Sequence, residues 1–432
     1  MTSSRRFEQD LPALLVDLYL AGTPDYRDDL VRQVERTPQR PSWTFPGRWL
    51  PMELVTTRVP ATRMPWRQLG VLALLAILVA AALAVYVGTH QERIPPPFGV
   101  AGNGTIAYSQ DGDIYTVDPL SGVAKVIVTG PDVDVTPLFA RDGTKIAFLR
   151  RAAILTTFDV VVADRDGSDP RVLTRDPIPA DTVIEWSADS TAILMTTTTS
   201  DVVRYEVDGG SDPTVVVDAA RWLTGELRPP AGEQLLYEPD STPDVDLWIM
   251  DADGTDAHLL YRPVAQVQAE LDQVRWSPDG ALIGFTCAPP GWPDRRNICV
   301  MEADGSNLRL LSNEGPDVTE TDFVWSPDST HIAFNRWHLE PDGSWKILPI
   351  GVASLTDPDV RDLGPTPASE GSLFDWSPDG TTILSLPARF FRSVDPSAAP
   401  ARPIAIDVDS NTWHDSAWEV ASNVSWQRIA AP

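Results

Sequence analysis

The histidines and the acidic glycine turns are the residues whose types first suggest chemistry in this chain. The five histidines are scattered and lack the spacing of zinc ligands. Asp-x-Asp-Gly occurs at 164–167 and 251–254. A calcium loop of the EF-hand type needs a carboxylate at its twelfth position, where Arg175 and Arg262 stand. We therefore interpret both segments as hairpin turns and expect neither a metal nor any other cofactor.

The two cysteines, Cys287 and Cys299, are the second candidates for chemistry. They flank the segment CAPPGWPDRRNIC, which connects two predicted antiparallel strands. Adjacent strands can hold such residues at disulfide distance. We predict a structural disulfide, with two free thiols as the alternative. A disulfide would stabilise the fold by roughly 3 kcal/mol and would require a compartment that permits oxidation.

Three long segments concentrate aromatic and arginine side chains in an otherwise acidic chain. Tryptophan and arginine are enriched at interface hot spots, where they carry much of the binding energy. The segments supply Trp292, Arg295 and Arg296; Arg336, Trp337, His338 and Trp345; and Arg389, Phe390, Phe391 and Arg392. Two interpretations stay open: the segments pack on one another, or they form a binding face for an acidic or glycan-like partner.

A repeat with a period of about 44–51 residues would position these segments. Its clearest copies are IEWSADS (184–190), VRWSPDG (274–280), FVWSPDS (323–329) and FDWSPDG (374–380), each followed by a short apolar strand. Several copies continue with a strand, an acidic glycine turn and another strand, as in DLWIMDADGTDAHLL (246–260). Each unit is therefore predicted to hold four short antiparallel strands joined by tight turns.

The aromatic residue that ends the first strand of each copy is predicted to pack between neighbouring units. Such a ring buries on the order of 200 Å². These structural anchors are Phe139, Trp186, Trp276, Trp325, Trp376 and Trp426. A further copy at 226–238 has lost its tryptophan and keeps a turn and a strand.

The two ends of the repetitive region complement each other. NVSWQR (423–428) is a first strand with nothing after it, and 104–122 supplies the strands that it lacks. Joined, they make one unit and close a ring without exposed edges. We predict an all-β, seven-bladed β-propeller over 104–432, or a six-bladed one if the copy at 226–260 is misread. The three aromatic and arginine-rich segments then connect second to third strands and share one face.

The paired WSPDG and DADGS patterns resemble the bacterial TolB-type, WD40-like propeller repeat family over about 330 residues. The resemblance implies a propeller fold. Propellers of this type serve as protein-binding platforms, as sensor domains and as gating domains of serine peptidases. TolB itself carries a different N-terminal domain, so the resemblance does not extend to a role in envelope complexes.

Residues 69–88 form an uncharged and mostly aliphatic segment that predicts a transmembrane helix. Twenty helical residues span roughly 30 Å, the thickness of the hydrocarbon core of a bilayer. Three arginines lie between positions 58 and 67, whereas only Arg93 follows the segment closely. The positive-inside rule therefore places the N-terminus in the cytoplasm and the propeller outside, beyond a proline-rich spacer at 89–103.

The N-terminal region is predicted to be a cytoplasmic helical segment, 1–40, and a loose Pro- and Arg-rich linker, 41–68. Apolar residues recur at helical spacing in 7–21, and a second short helix follows. Two short helices bury little surface alone, so we expect a cytoplasmic partner, a dimer or the membrane surface to cover them. The layout is similar to that of anti-sigma factors, without the zinc-binding form, because 1–68 contain no His or Cys.

The net charge and the motifs of the chain exclude some classes of function. A net charge of −27 argues against nucleic acid as a partner. The chain has no G-x-S-x-G motif, so we do not expect a peptidase domain. We predict a non-enzymatic propeller, anchored by one span in the cell membrane, that binds a protein or an envelope polymer outside the cytoplasm. A single-pass signalling protein whose propeller senses an envelope ligand is the alternative, and a propeller enzyme is a third possibility.

Overall fold

The chain divides into two units, Met1–Gln91 and Glu92–Pro432. The computed structural model describes residues 70–80, 93–151, 157–174, 178, 184–196, 201–209, 212–217, 220–221, 234–239, 246–251, 253–262, 274–288, 295–312, 314–365, 372–387, 402–420 and 424–431. The predictions made for 1–40 and 41–68 lie outside these residues.

The described part of the first unit is one helix, α1, at 70–80. Its apolar side chains are exposed: Val71 is 59% exposed, Leu72 64% and Leu78 59%. Among the described residues, no helix has both the length and the apolar character needed to cross a bilayer. The rest of the predicted span, at 69 and 81–88, lies outside the described residues.

The second unit is an all-β propeller whose described strands form seven sheets, so the six-bladed alternative is wrong. Blade 1 contains, from the centre outward, β29 (Val424–Ile429), β1 (Gly102–Gln110), β2 (Asp113–Val117) and β3 (Ala124–Val128). Both ends of the repetitive region thus meet in one antiparallel sheet. Ile106 lies opposite Trp426 in the pairing that closes the ring, as the complementary ends of the sequence predict.

The other six blades follow in chain order, each with its first strand nearest the central axis. Blade 2 contains β4 (Val133–Phe139), β5 (Lys145–Arg151), β6 (Asp159–Asp164) and β7 (Arg171–Val172). Blade 3 contains β8 (Ile184–Trp186), β9 (Ala192–Thr196), β10 (Val202–Glu206) and β11 (Thr214–Val217). Blade 4 contains β12 (Ala220–Arg221), β13 (Gln234–Pro239), β14 (Leu247–Asp251) and β15 (His258–Tyr261).

Blades 5, 6 and 7 complete the ring, and blade 6 has a fifth strand. Blade 5 contains β16 (Arg275–Trp276), β17 (Leu282–Cys287), β18 (Asn297–Glu302) and β19 (Arg309–Leu310). Blade 6 contains β20 (Val318–Trp325), β21 (His331–Leu339), β22 (Trp345–Ile347), β23 (Ile350–Ser354) and β24 (Asp357–Leu363). Blade 7 contains β25 (Ser372–Trp376), β26 (Thr382–Pro387), β27 (Ile404–Asp407) and β28 (Trp413–Asp415).

The Ser-Pro-Asp-Gly segment forms the turn between the first two strands of a blade. In blade 5 the hydroxyl of Ser277 donates to Asp279 Oδ1 at 2.6 Å and accepts from the amide of Leu282 at 2.9 Å. Gly280 completes the turn with a φ of +69°. Blades 3, 6 and 7 repeat the serine-to-aspartate hydrogen bond. The motif is therefore explained by local hydrogen bonding.

Where a serine replaces the glycine of this turn, it joins two blades. Ser190 and Ser329 have φ angles of 60° and 62°. The Oγ of Ser190 accepts from the amide of Asp142 in blade 2, and the Oγ of Ser329 accepts from the amide of Asp279 in blade 5, both at 3.0 Å. The hydrogen bond between blades offsets the cost of a left-handed conformation at a non-glycine residue.

The turns between third and fourth strands join the blades at the outer rim. A Cβ on Gly167 of blade 2 would lie 2.0 Å from the carbonyl oxygen of Ile127 in blade 1. In blade 7 Asn411 takes an equivalent place, since its side chain donates to Asp362 O and accepts from the amide of Gly364 in blade 6. The glycine of Asp-Gly thus permits close packing between blades.

The anchor residues pack between blades. Trp186 and Trp276 are each 1% exposed, and the other anchors are buried as well. The indole of Trp186 donates to the carbonyl of Leu138 in blade 2 at 3.0 Å, so it joins two inner strands. Cys287 and Cys299 form a disulfide between β17 and β18, with their Cα atoms 5.8 Å apart. Their register is diagonal, because Cys287 pairs with Asn297.

Candidate functional site

The propeller has two ends that differ in the connections they carry. We call the end with the first-to-second and third-to-fourth strand turns the turn face. The opposite end carries the second-to-third connections and the links between blades, and we call it the loop face. The topology puts the described members of the predicted binding face, at 295–296 and 336–345, at the end of the propeller that we call the loop face. Its other predicted members, Trp292 and residues 389–392, lie outside the described residues.

Among the described strands, the first two of blade 6 are longer than those of blades 5 and 7. β20 and β21 have 8 and 9 residues, and β22 adds a third strand beside the end of β21. We call the outer part of β21, together with β22, the ribbon, 337–347. In its register Trp337 lies opposite Ile347, and Leu339 lies opposite Trp345. Because side chains alternate along a strand, these four residues share one side of the ribbon.

The apolar side of the ribbon is partly open and carries a cation. Trp345 is 44% exposed, and Trp337 and Leu339 are partly exposed. The guanidinium carbon of Arg295, from blade 5, lies 5.0 Å from the centroid of the Trp345 ring. Arg295 Nε also donates to the carbonyl of Pro316 at 2.8 Å, which fixes the side chain beside the ribbon. The structure thus brings two of the predicted segments together through a cation–π contact.

Arg296 and His338 flank this contact. Arg296 is exposed, and its backbone amide donates to Thr319 Oγ1 at 3.1 Å. His338 lies on the other side of the ribbon, where its Nδ1 is 3.5 Å from Glu340 Oε1. Lys346 pairs with His338 across the ribbon. The polar side of the ribbon therefore carries charges of both signs.

Arg336 is not part of the exposed surface. It is 3% exposed and donates to Glu314 Oε1 at 2.6 Å, to Asp362 and to the carbonyl of Pro349. Its guanidinium holds together β21 and the segments that precede β20 and β23. Arg336 therefore supports the ribbon from below and is unavailable to a partner, which corrects the prediction that placed it on the binding face.

A comparison with blade 2 explains why Glu320, beneath the ribbon, has an unusual environment. Asp134 faces Arg150 in blade 2 as Glu320 faces Arg336 in blade 6. Arg150 binds Asp134 through two hydrogen bonds of 2.7 and 2.9 Å, whereas Arg336 turns towards other acceptors. Burial therefore raises the pKa of Glu320 to about 7, although the Ser312 hydroxyl and the Ile298 amide donate to its carboxylate.

The acidic glycine turns that the structure describes are held by their own hydrogen bonds. In the turn at 251–254 the side chain of Asp253 accepts from the amide and hydroxyl of Thr255 at 2.9 and 2.6 Å. These hydrogen bonds lower the pKa of Asp253. Among the residues that the structure describes, no group of three His, Cys, Asp or Glu side chains could hold a metal ion.

Sequence reasoning missed Leu339, Ile347 and Glu320. The alternation of HIAFNRWHLE could have extended the strand through Leu339 and shown that Trp337 and Leu339 share a side. No sequence pattern indicates the environment of Glu320, because that environment depends on the side-chain conformation of Arg336.

Comparisons with known proteins support the fold. No model of a protein family matches the sequence, and no curated protein matches it. An oligogalacturonate lyase from Vibrio parahaemolyticus superposes with a TM-score of 0.53 at 13% identity, over 73% of this chain and 86% of that chain. A prolyl endopeptidase gives 0.52 at 14% identity, over 78% of this chain and 52% of that chain. TolB from Acinetobacter baumannii gives 0.45 at 15%, over 74% and 81%.

The two of these neighbours with TM-scores above 0.5 are enzymes by name. At such identities the likeness concerns the propeller architecture alone. The fold therefore leaves the choice between binding and catalysis to the residues of the site.

Proposed function

We propose that this protein is a non-enzymatic β-propeller, anchored in the cell membrane with its propeller outside the cytoplasm, that binds a protein or an envelope polymer through its loop face. The observation that carries the proposal is the ribbon of blade 6. It holds Trp337 and Trp345 on one partly exposed side, with Arg295 over the ring of Trp345. Aromatic and arginine side chains that are held in place in this way are typical of interface hot spots.

The anchoring is supported by the sequence at 69–88 and by the exposed apolar side chains of α1. The disulfide between Cys287 and Cys299 fits a compartment that permits oxidation. The chain enters the propeller on the turn face, where the amide of Ala101 donates to the carbonyl of Pro378 at 2.9 Å.

A capture experiment on the full-length chain tests the binding face. Trp337 and Trp345 are changed together to alanine, and the material retained from an envelope extract is compared with that of the unchanged protein. The control is Trp413→Ala, because Trp413 is 51% exposed on the outer strand of blade 7. We expect the double variant to lose a specific captured component that the control retains. Equal capture by all three proteins would reject the loop face as the binding surface.

A single-pass signalling protein is the second candidate. Arg428, on the strand that closes the ring, donates to the carbonyls of Pro96 and Gly99 in the spacer that follows the predicted span. A change in the propeller could thus reach the chain that leads to the membrane. In this case deletion of residues 1–60 from the full-length protein removes a cytoplasmic partner from the purified complex. A partner that remains bound without 1–60 contradicts the signalling role.

A further inference from the structure

The central channel contains a cavity at its turn-face end, away from the ribbon. Its volume is about 250 Å³, which suits a small molecule of a few heavy atoms. The first strands of six blades contribute to its wall, together with Phe98 and Gly99 from the segment that precedes β1. The cavity therefore lies on the axis of the ring.

The position before each anchor residue faces this cavity. These positions are occupied by Leu138, Glu185, Arg275, Val324, Asp375 and Ser425. The anchors themselves are aromatic in every one of these blades, because blade packing requires a large ring at that place. The preceding positions differ in size and charge from blade to blade. Packing between blades does not fix the type of side chain at these positions, so the side chains there can be suited to a ligand.

One arginine of the cavity wall has a buried donor with no acceptor among the described residues. This donor is Nε of Arg275. The other arginines of the wall are engaged: Arg141 pairs with Glu185 at 3.1 Å, and Arg428 binds the carbonyls of Pro96 and Gly99. Buried N–H groups in native structures are nearly always paired with protein, water or a ligand.

The charge of the wall differs from that of the whole chain. Three arginines line the cavity against two carboxylates, whereas the chain has a net charge of −27. Because a low-dielectric site strengthens electrostatic contacts, the positive charge of Arg275 favours an anion there. We propose that the cavity is a binding site for a small oxyanion, a carboxylate or a phosphate, held by the guanidinium of Arg275.

The segment before β1 covers the mouth of this site. Phe98 is 8% exposed, and the guanidinium carbon of Arg141, in blade 2, lies 4.6 Å from its ring centroid. Ala101 is bound to Pro378 of blade 7, so the segment contacts both neighbours of blade 1. An anion enters when Phe98 moves aside, and the closed segment then shields it from water.

The test uses the purified full-length chain, with acetate and inorganic phosphate as separate probes in a buffer free of other oxyanions. Binding is measured by titration calorimetry and by intrinsic tryptophan fluorescence. We expect saturable binding of at least one probe, and the stronger of the two identifies the oxyanion class. Because hydrogen bonds to charged groups are strong, Arg275→Gln should weaken binding by about 10-fold or more.

Two further variants keep the proposal open to rejection if Arg275→Gln does not fold. Arg275→Lys keeps the positive charge but loses the forked donors of the guanidinium, and it should weaken binding by about 5-fold. Arg171→Gln, on an exposed outer strand, is the matched control and should bind as the unchanged chain does. Failure of both probes to saturate, or equal binding by the Arg275 variants and the unchanged chain, overturns the proposal. Equal weakening in Arg171→Gln shows general surface attraction and overturns it as well.

Discussion

Replacing Glu320 by glutamine should stabilise the propeller at neutral and alkaline pH. The carboxylate is fully buried, and burial raises its pKa from 4.5 to about 7. An acid whose pKa is higher in the folded state contributes stability below its unfolded pKa, and that contribution is lost as the pH rises through the folded pKa. A shift of this size corresponds to about 3 kcal/mol. Glutamine stays neutral, and its amide can still accept from Ile298 and donate to Ser312.

The measurement is urea unfolding of the full-length chain, followed by tryptophan fluorescence between pH 4.5 and 8. The free energy of unfolding of Glu320→Gln minus that of the unchanged chain should increase by about 3 kcal/mol between pH 4.5 and 7 and then level off. Glu206→Gln, on an exposed part of blade 3, is the control and should show little such increase. A difference that stays constant with pH would show that Glu320 is ionised without penalty, which refutes the reasoning.

The remaining predictions concern the contacts that hold the ring together, and urea unfolding measures each of them. Ser329→Ala should lower the free energy of unfolding by about 2 kcal/mol, because the amide of Asp279 loses its acceptor while alanine keeps the cost of the left-handed backbone. Ser329→Gly removes that cost and should lower the free energy of unfolding by less than about 1 kcal/mol. Gly167→Ala should cost about 3 kcal/mol, since its Cβ would collide with the carbonyl of Ile127; a change below about 1 kcal/mol would mean that the blades can separate there. Replacing Cys287 and Cys299 by serine should cost about 3 kcal/mol, and a reducing agent should have the same effect on the unchanged chain only.

The architecture was predictable because its determinants are local and repeated. The Trp-Ser-Pro-Asp-Gly segments specify a strand end and a turn through hydrogen bonds within a few residues, as Ser277 and Asp279 show. The complementary ends of the repetitive region predicted the closing pair of β29 and β1, because an unpaired inner strand needs a neighbour. The membrane span, predicted from hydropathy, stays a proposal.

The site was less predictable because its geometry depends on contacts between blades. The sequence indicated that Trp345 and Arg295 lie on one face, but their cation–π contact requires the register of β22 and the place of the loop in blade 5. Arg336 has the same residue type and a similar sequence context, yet its side chain is buried in ion pairs. Position in the sequence does not distinguish an arginine that supports a ribbon from one that faces solvent.

Site-specific photocrosslinking in intact cells tests the central claim, binding through the loop face, most directly. A photoreactive phenylalanine analogue is placed at position 345 in one full-length variant and at position 413 in another, two sites of similar exposure in different parts of the propeller. We expect a discrete crosslinked product at position 345 and none at 413. A product at 413 with none at 345 would place the partner elsewhere and contradict the account.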